Sequence, residues 1–347
     1  MREKTGRAFR WIGGVAVSAV VAACGGGGGD PGAGSGAAPL PGPTPDARNG
    51  SYTLMAADAR EYTLALDFDA NTYRVTGNGV DQAGSIAAQG GVFSFLPGNA
   101  VGATGASTTR FSMATHTVIG EFALPGGAVP FVAPRSFVNT LAGAVGTYNF
   151  LGRTVDTAGG LPNTTIQQAE ITADGHLRTC DDSTIFSIGS CPVSSVTTGT
   201  VTVAGDLFTA ATSSGSIPFR IAQVGADKVF LRASASTGTT RRFIVGVPAG
   251  SAIATGSFTG GTTEPAWGTV SLTAGSFTST GTSPSGVTTT QTGTASALAV
   301  NGMGNVTVVT TTAAGNFFAT RTSELGVVVA GRNSSQAPGF MAIGKVQ

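Results

Sequence analysis

The stretch LDFDANTYRVTG, residues 66–77, decides how the rest of the chain is read. Apolar and polar residues alternate on both sides of Asp-Ala-Asn, the pattern of two half-buried strands joined by a tight turn. The same phrase recurs as AEITADGHLRTC (169–180) and VSLTAGSFTSTG (270–281), with Ala70, Ala173 and Ala274 at matching turns. Each copy is followed by a glycine-bracketed strand pair: GSIAAQGGVFSF (84–95), GTVTVAGDLFTA (199–210) and GTASALAVNGMGNVTVV (293–309). Each then closes on a similar strand, VPFVAPR, RRFIVGVP or GFMAIGKV, which sets Phe131, Phe243 and Phe340 in equivalent places. A period of about 100 residues marks three degenerate copies of one unit, expected at 49–140, 141–250 and 251–347.

Within the second copy eight short strands follow one another: TYNFLGR, IQQAEITA, HLRTC, TGTVTVA, LFTAAT, IPFRIAQV, KVFLRAS and RRFIVGV. Helical periodicity is scarce beyond residue 48, so the fold class is all-β, built of tandem antiparallel meander units. Eight sequential strands close into a small barrel, which removes the edges that invite aggregation, divide into a two-sheet sandwich, or join a continuous sheet running through all three units. A single transmembrane barrel is a further arrangement. Against it stand strands shorter than the nine to eleven residues needed and too few girdle aromatics, namely Tyr52, Tyr62, Tyr73, Tyr148 and Trp267.

The amino terminus has a different character. MREKTGRAFR carries Arg2, Lys4, Arg7 and Arg10 against Glu3, and an apolar segment runs from Trp11 to Ala23. A basic start, a short apolar run and small residues describe a secretory signal peptide, here residues 1–23. Its end, Val21-Ala22-Ala23-Cys24, resembles the lipobox of bacterial lipoproteins. That resemblance implies cleavage before Cys24, a diacylglycerol on its thiol and acylation (palmitate) of the new amino terminus. It also implies the outer membrane, because Gly25 stands where an acidic residue signals retention in the inner one. Several acyl chains anchor stably where one binds only marginally. Residues 24–48 are Gly-rich and then Pro-rich, and are expected to be a tether without order of its own.

Four of the 19 Lys/Arg and one of the 18 Asp/Glu precede Cys24, so the remainder is close to neutral. Such a balance, with 11% charged residues overall, offers no electrostatic footprint for nucleic acid. Of the three cysteines, Cys180 and Cys191 are left to pair in an oxidising compartment, and CDDSTIFSIGSC reads as a stapled hairpin. In the chain-entropy account, closing that loop contributes about 3 kcal/mol.

Titratable side chains are sparse. His116 and His176 stand on expected strands or strand edges with no metal-ligand spacing around them. Neither G-x-S-x-G nor S-x-x-K occurs in the mature chain. Gly339 to Lys345 matches G-x-x-x-x-G-K, but Val346 replaces the magnesium-binding Ser/Thr and no helix follows. Asp174, Asp181 and Asp182, like Asp67 and Asp69, read as turn formers, with calcium the alternative. Arg241, Arg242, Lys228 and Arg232 form a basic patch that reads as a solvated face, with anion binding the alternative.

No catalytic residue, metal site or cofactor is expected. The expected role is that of an outer-membrane lipoprotein that binds a partner or serves a structural purpose, its membrane contact being the lipid at Cys24. The alternative is a carrier of small apolar ligands with lipocalin-like barrels, distinguished by an empty lumen rather than one filled by Phe and Val. A transmembrane barrel or a hydrolase follows as a further alternative.

Overall fold

Gly50-Ser51-Tyr52, Gly146-Thr147-Tyr148 and Gly256-Ser257-Phe258 each begin a run of eight antiparallel strands. The three glycines all adopt positive φ (145°, 156° and 120°), so the chain turns into the first strand at a residue without Cβ. In the first two runs the aromatic residue is a tyrosine that anchors this entry. Tyr52 Oη donates to the Arg48 carbonyl (2.6 Å) and Tyr148 Oη to the Ala144 carbonyl (2.8 Å).

The structure, a computed structural model, describes residues 44–98, 109–124, 127–182, 184–235, 238–297, 303–312, 315–332 and 334–347. Cys24, the signal peptide and most of the expected tether lie outside the described residues. The first barrel comprises β1 (Gly50–Ala56), β2 (Arg60–Asp67), β3 (Thr72–Gly77), β4 (Val80–Gln89), β5 (Val92–Pro97), β6 (Arg110–Ala114), β7 (Thr117–Leu124) and β8 (Gly127–Pro134). The second comprises β9 (Gly146–Asp156), β10 (Asn163–Ile171), β11 (His176–Cys180), β12 (Val196–Ala204), β13 (Leu207–Thr212), β14 (Gly215–Val224), β15 (Asp227–Ala235) and β16 (Thr240–Pro248), entered through the one-turn helix α1 (Leu141–Ala144). The third comprises β17 (Gly256–Thr262), β18 (Trp267–Leu272), β19 (Ser276–Thr282), β20 (Thr288–Ala297), β21 (Thr307–Thr311), β22 (Gly315–Arg321), β23 (Leu325–Ala330) and β24 (Met341–Val346). Each set closes on itself through its first and last strands, so the fold is three tandem barrels, neither a sandwich nor one continuous sheet.

The turns that revealed the repeat all join the second and third strands of a barrel. Asn71 (φ 52°) and Gly175 (φ 85°) take the left-handed turn position in the first two, and Asp67 accepts from the Ala70 N–H (2.9 Å). The closing strands, however, do not align on the expected phenylalanines, which fall one residue off in the second copy and two in the third. Ala56 pairs with Phe131, Gly152 with Ile244 and Thr262 with Ala342, and the three entry residues are themselves equivalent. Phe131 therefore corresponds to Ile244 and Ala342, while Phe243 and Phe340 are offset. A one-residue slip on a strand reverses the face. Phe131 accordingly points into its barrel, and Phe243 points out of the second.

Inward positions are filled by rings. In the first barrel Phe95 lies 4.4 Å from Phe111 and 4.8 Å from Tyr73, centroid to centroid, and Phe93 lies 5.0 Å from Phe111. Arg48, in the last stretch of the expected tether, covers this stack with its guanidinium 4.0 Å from the Phe68 ring. In the second barrel Phe150, Phe230, Phe219 and Phe208 form a continuous series at 4.3, 4.6 and 5.4 Å.

A fourth core lies outside all three lumens. Outward-facing Met55, Ile119 and Val132 of the first barrel, Leu151, Phe243 and Val245 of the second, and Phe318, Val327 and Ile343 of the third form one buried cluster. Polar contacts secure its margins. Arg153 Nη1 donates to the Ala57 carbonyl (2.9 Å), Asn149 Nδ2 to the Gly304 carbonyl (2.6 Å), and Thr115 Oγ1 to Glu324 (2.6 Å). The barrels approach closely because small residues stand at the contact: a Cβ on Gly261 would sit 2.5 Å from Glu121 Cβ across the first–third interface. Gly261→Ala is expected to destabilise the protein by about 1–3 kcal/mol through overpacking, measured by urea unfolding; an unchanged midpoint would show that the interface yields.

The segment between the two cysteines is a loop, not a hairpin. β11 ends at Cys180, β12 starts at Val196, and among the described residues between them only the single 3-10 turns Ile188–Ser190 and Val193–Ser195 are regular. Asp182 explains part of the difference, since its carboxylate accepts from the Thr184 and Ile185 N–H groups (both 2.8 Å) and bends the backbone away from a ladder. The Cys180–Cys191 disulfide is formed, with Cα atoms 5.8 Å apart.

Candidate functional site

Alternation along a strand places every second side chain in a barrel's lumen. In β15 that row runs Phe230, Arg232, Ser234, and in β16 it runs Ile244, Arg242. The apolar end of the second lumen thus gives way to two arginines at the other end. Arg232 pairs with Ile244 and Ser234 with Arg242, so the two guanidiniums stand on diagonal neighbours of one face. Thr154 on β9 and Thr165 and Gln167 on β10 have the same inward parity.

These residues enclose a polar cavity of about 560 Å³ at the barrel mouth, completed by the β13–β14 turn and by Asp181 and Arg332 at the rim. The basic patch is therefore no solvated face: Arg232 is only 4% exposed. Its Nε–H donates to Ser234 Oγ (2.9 Å), and no ion pair reaches it among the described residues. Burial, with the neighbouring Arg242 adding repulsion, pulls the Arg232 guanidinium down to about 10. Arg242 is half-buried, and its Nε is enclosed without a hydrogen-bond partner among the described residues. Lys228 and Arg241, the other members of the expected patch, do not line the cavity.

The rim is built differently from the floor. Arg332 arrives from the third barrel, donates to the Asp182 carbonyl (3.0 Å) and to the Ile166 carbonyl, and lies 4.8 Å from the Phe186 ring. Burial lowers its pKa, opposed by Asp181 and Asp182. Asp181 is tied by the Thr197 hydroxyl (2.6 Å). The disulfide thus staples the loop that forms one side of the mouth. Here Cys180 and Cys191 act on the site's frame and not on its chemistry.

The other sequence candidates lie elsewhere. His116 occupies the β6–β7 turn at φ 55°, at the edge of β7. His176 opens β11, with Nδ1 3.3 Å from the exposed Asp174 carboxylate. Asp67 and Asp182 serve turns, and Asp69 accepts from Asn49 Nδ2 (2.7 Å). Among the described residues no three His, Cys, Asp or Glu side chains gather in a metal-binding group. Gly344 and Lys345 of the glycine-lysine match are strand residues paired with β17 and β23, where backbone N–H groups serve a ladder rather than a phosphate. Sequence reasoning named Arg232 and Arg242, but did not find Thr165, Gln167 or Arg332; strand parity from Ala169 and Ile171 on β10 would have put the first two in the lumen, whereas Arg332 is remote in sequence. Comparison with protein-family models, with curated proteins and with solved structures finds no match to this chain.

Proposed function

We propose that the chain is a lipid-anchored outer-membrane protein whose three-barrel body works by binding, without catalysis. One observation carries the binding part: a body whose first lumen is filled by aromatic rings keeps an open polar cavity in the second. The lining is of hydroxyl, amide and guanidinium groups, the donors and acceptors that orient a bound solute. The anchor rests on the basic start, the short apolar run and the small residues before Cys24.

The same packing favours a polar ligand over the apolar carrier reading, since rings occupy the inward positions that an apolar guest would need. A lipid-facing exterior is disfavoured by exposed outward residues such as Thr63, Asp67, Thr72 and Arg74. The intact mass of the mature protein is expected to correspond to a chain starting at Cys24 with both thiol and amino terminus acylated. Cys24→Ser should move the protein from the membrane fraction to the soluble one; a variant that stays membrane-embedded would sink the anchor.

A further inference from the structure

We propose that the mouth of the second barrel binds a small oxyanion carried on a hydroxylated body, such as a sugar phosphate, sulfated sugar or uronate. The inference rests on the body being a binding module; the lipid anchor does not enter it. Two guanidiniums placed side by side in a partly enclosed cavity repel one another, and a buried charge without a counter-ion is costly. Among the described residues Arg232 is buried with only a serine hydroxyl for company, and the enclosed Nε of Arg242 makes no hydrogen bond. A carboxylate on a neighbouring strand would have been the ordinary solution, and none is paired here. A planar fork of N–H donors matches phosphate, sulfate and carboxylate geometry. An oxyanion lodged between Arg232 and Arg242 would satisfy both.

The rest of the ligand follows from the other walls. The side chains of Thr154, Thr165 and Gln167 face the same space and make no hydrogen bond among the described residues, so they are available to alcohol groups. The cavity, at about 560 Å³, is far larger than one inorganic ion needs. Asp181 stands at the rim, held by Thr197 and Thr179 (3.3 Å), and favours a ligand whose remaining surface is neutral and hydroxylated over a second anionic group. Arg332, bound to two carbonyls, acts as a wall of the site.

The test is calorimetric titration of the full-length protein in detergent, with glucose 6-phosphate, glucose 6-sulfate, glucuronate, inorganic phosphate, inorganic sulfate and glucose as probes. Saturable binding is expected for at least one of the sugar oxyanions, about tenfold or more tighter than for the inorganic ions, and none for glucose. Arg242→Gln should weaken that binding by about tenfold or more and abolish the ligand-induced rise in Tm, while leaving the Tm without ligand unchanged or higher because a repelling charge is gone. Arg232→Gln should do the same; if it fails to fold, Arg242→Gln, whose side chain is half-buried, still decides the matter. No binding of any oxyanion at about 10 mM overturns the site, as does unchanged affinity in Arg242→Gln. Equal affinity for inorganic phosphate and glucose 6-phosphate overturns the hydroxylated body. Mass analysis of the same preparation separates the two readings: acylated protein that binds nothing removes this site and leaves the anchor, whereas unacylated protein that binds does the reverse.

Discussion

Phe243→Ala is expected to cost about 3–5 kcal/mol of folding stability and to lower the unfolding midpoint of all three barrels together. Phe243 is fully buried, yet it points away from its own lumen into the cluster shared with Ile119, Val132, Val327 and Ile343. Removing its ring leaves a cavity bordered by three barrels, and the surrounding strands, fixed by closed ladders, have little freedom to collapse into it. The check is guanidinium unfolding followed by two probes. Trp267, the sole tryptophan among the described residues, reports on the third barrel, and Tyr52, Tyr62 and Tyr73 report on the first. Both signals should shift by the same amount. A variant in which the Trp267 transition stays in place would mean that the barrels fold independently and that the junction is mere contact.

The second large effect concerns Glu121 on β7. The residue is 6% exposed, its Oε2 has no hydrogen-bond partner among the described residues, and it shares a small cavity with Arg110 and Trp267 where the first and third barrels meet. Burial pushes its carboxyl from 4.5 up to about 7, with Arg110 opposing. Because the folded state holds this proton more tightly than the unfolded chain does, the stabilising contribution is complete below about pH 4.5 and is lost as pH rises through 7. Glu121→Gln, which keeps the shape of the protonated acid, is therefore expected to stabilise the protein by about 3 kcal/mol at pH 8 and by almost nothing at pH 4. Urea unfolding of both proteins across that range is the measurement. Equal stabilities at pH 8 would show that the carboxylate finds solvent or Arg110 in the folded state.

The candidate site was half legible. Arg232, Arg241, Arg242 and Lys228 stand out as a basic group on adjacent strands, but a hairpin has two faces, and adjacency alone does not say which of them meets water. Register separates the inward Arg232 and Arg242 from Arg241, while Lys228, on the same face as Arg232, lies beyond Phe230 toward the opposite end of the barrel, and so a surface patch becomes a lined cavity. Repetition of a phenylalanine likewise suggested an equivalence that pairing refutes, since Phe131 fills a lumen and Phe243 a junction.

Local chemistry was enough to determine the three copies, the eight strands of the second, and the pairing of Cys180 with Cys191, because alternation, turn residues and cysteine count each act over a few residues. Closure of each sheet, the shared core and the arginine-lined mouth were decided only by tertiary structure. They depend on which strand faces which across a hundred residues or more, and a shift of one position exchanges lumen for exterior without altering any local pattern.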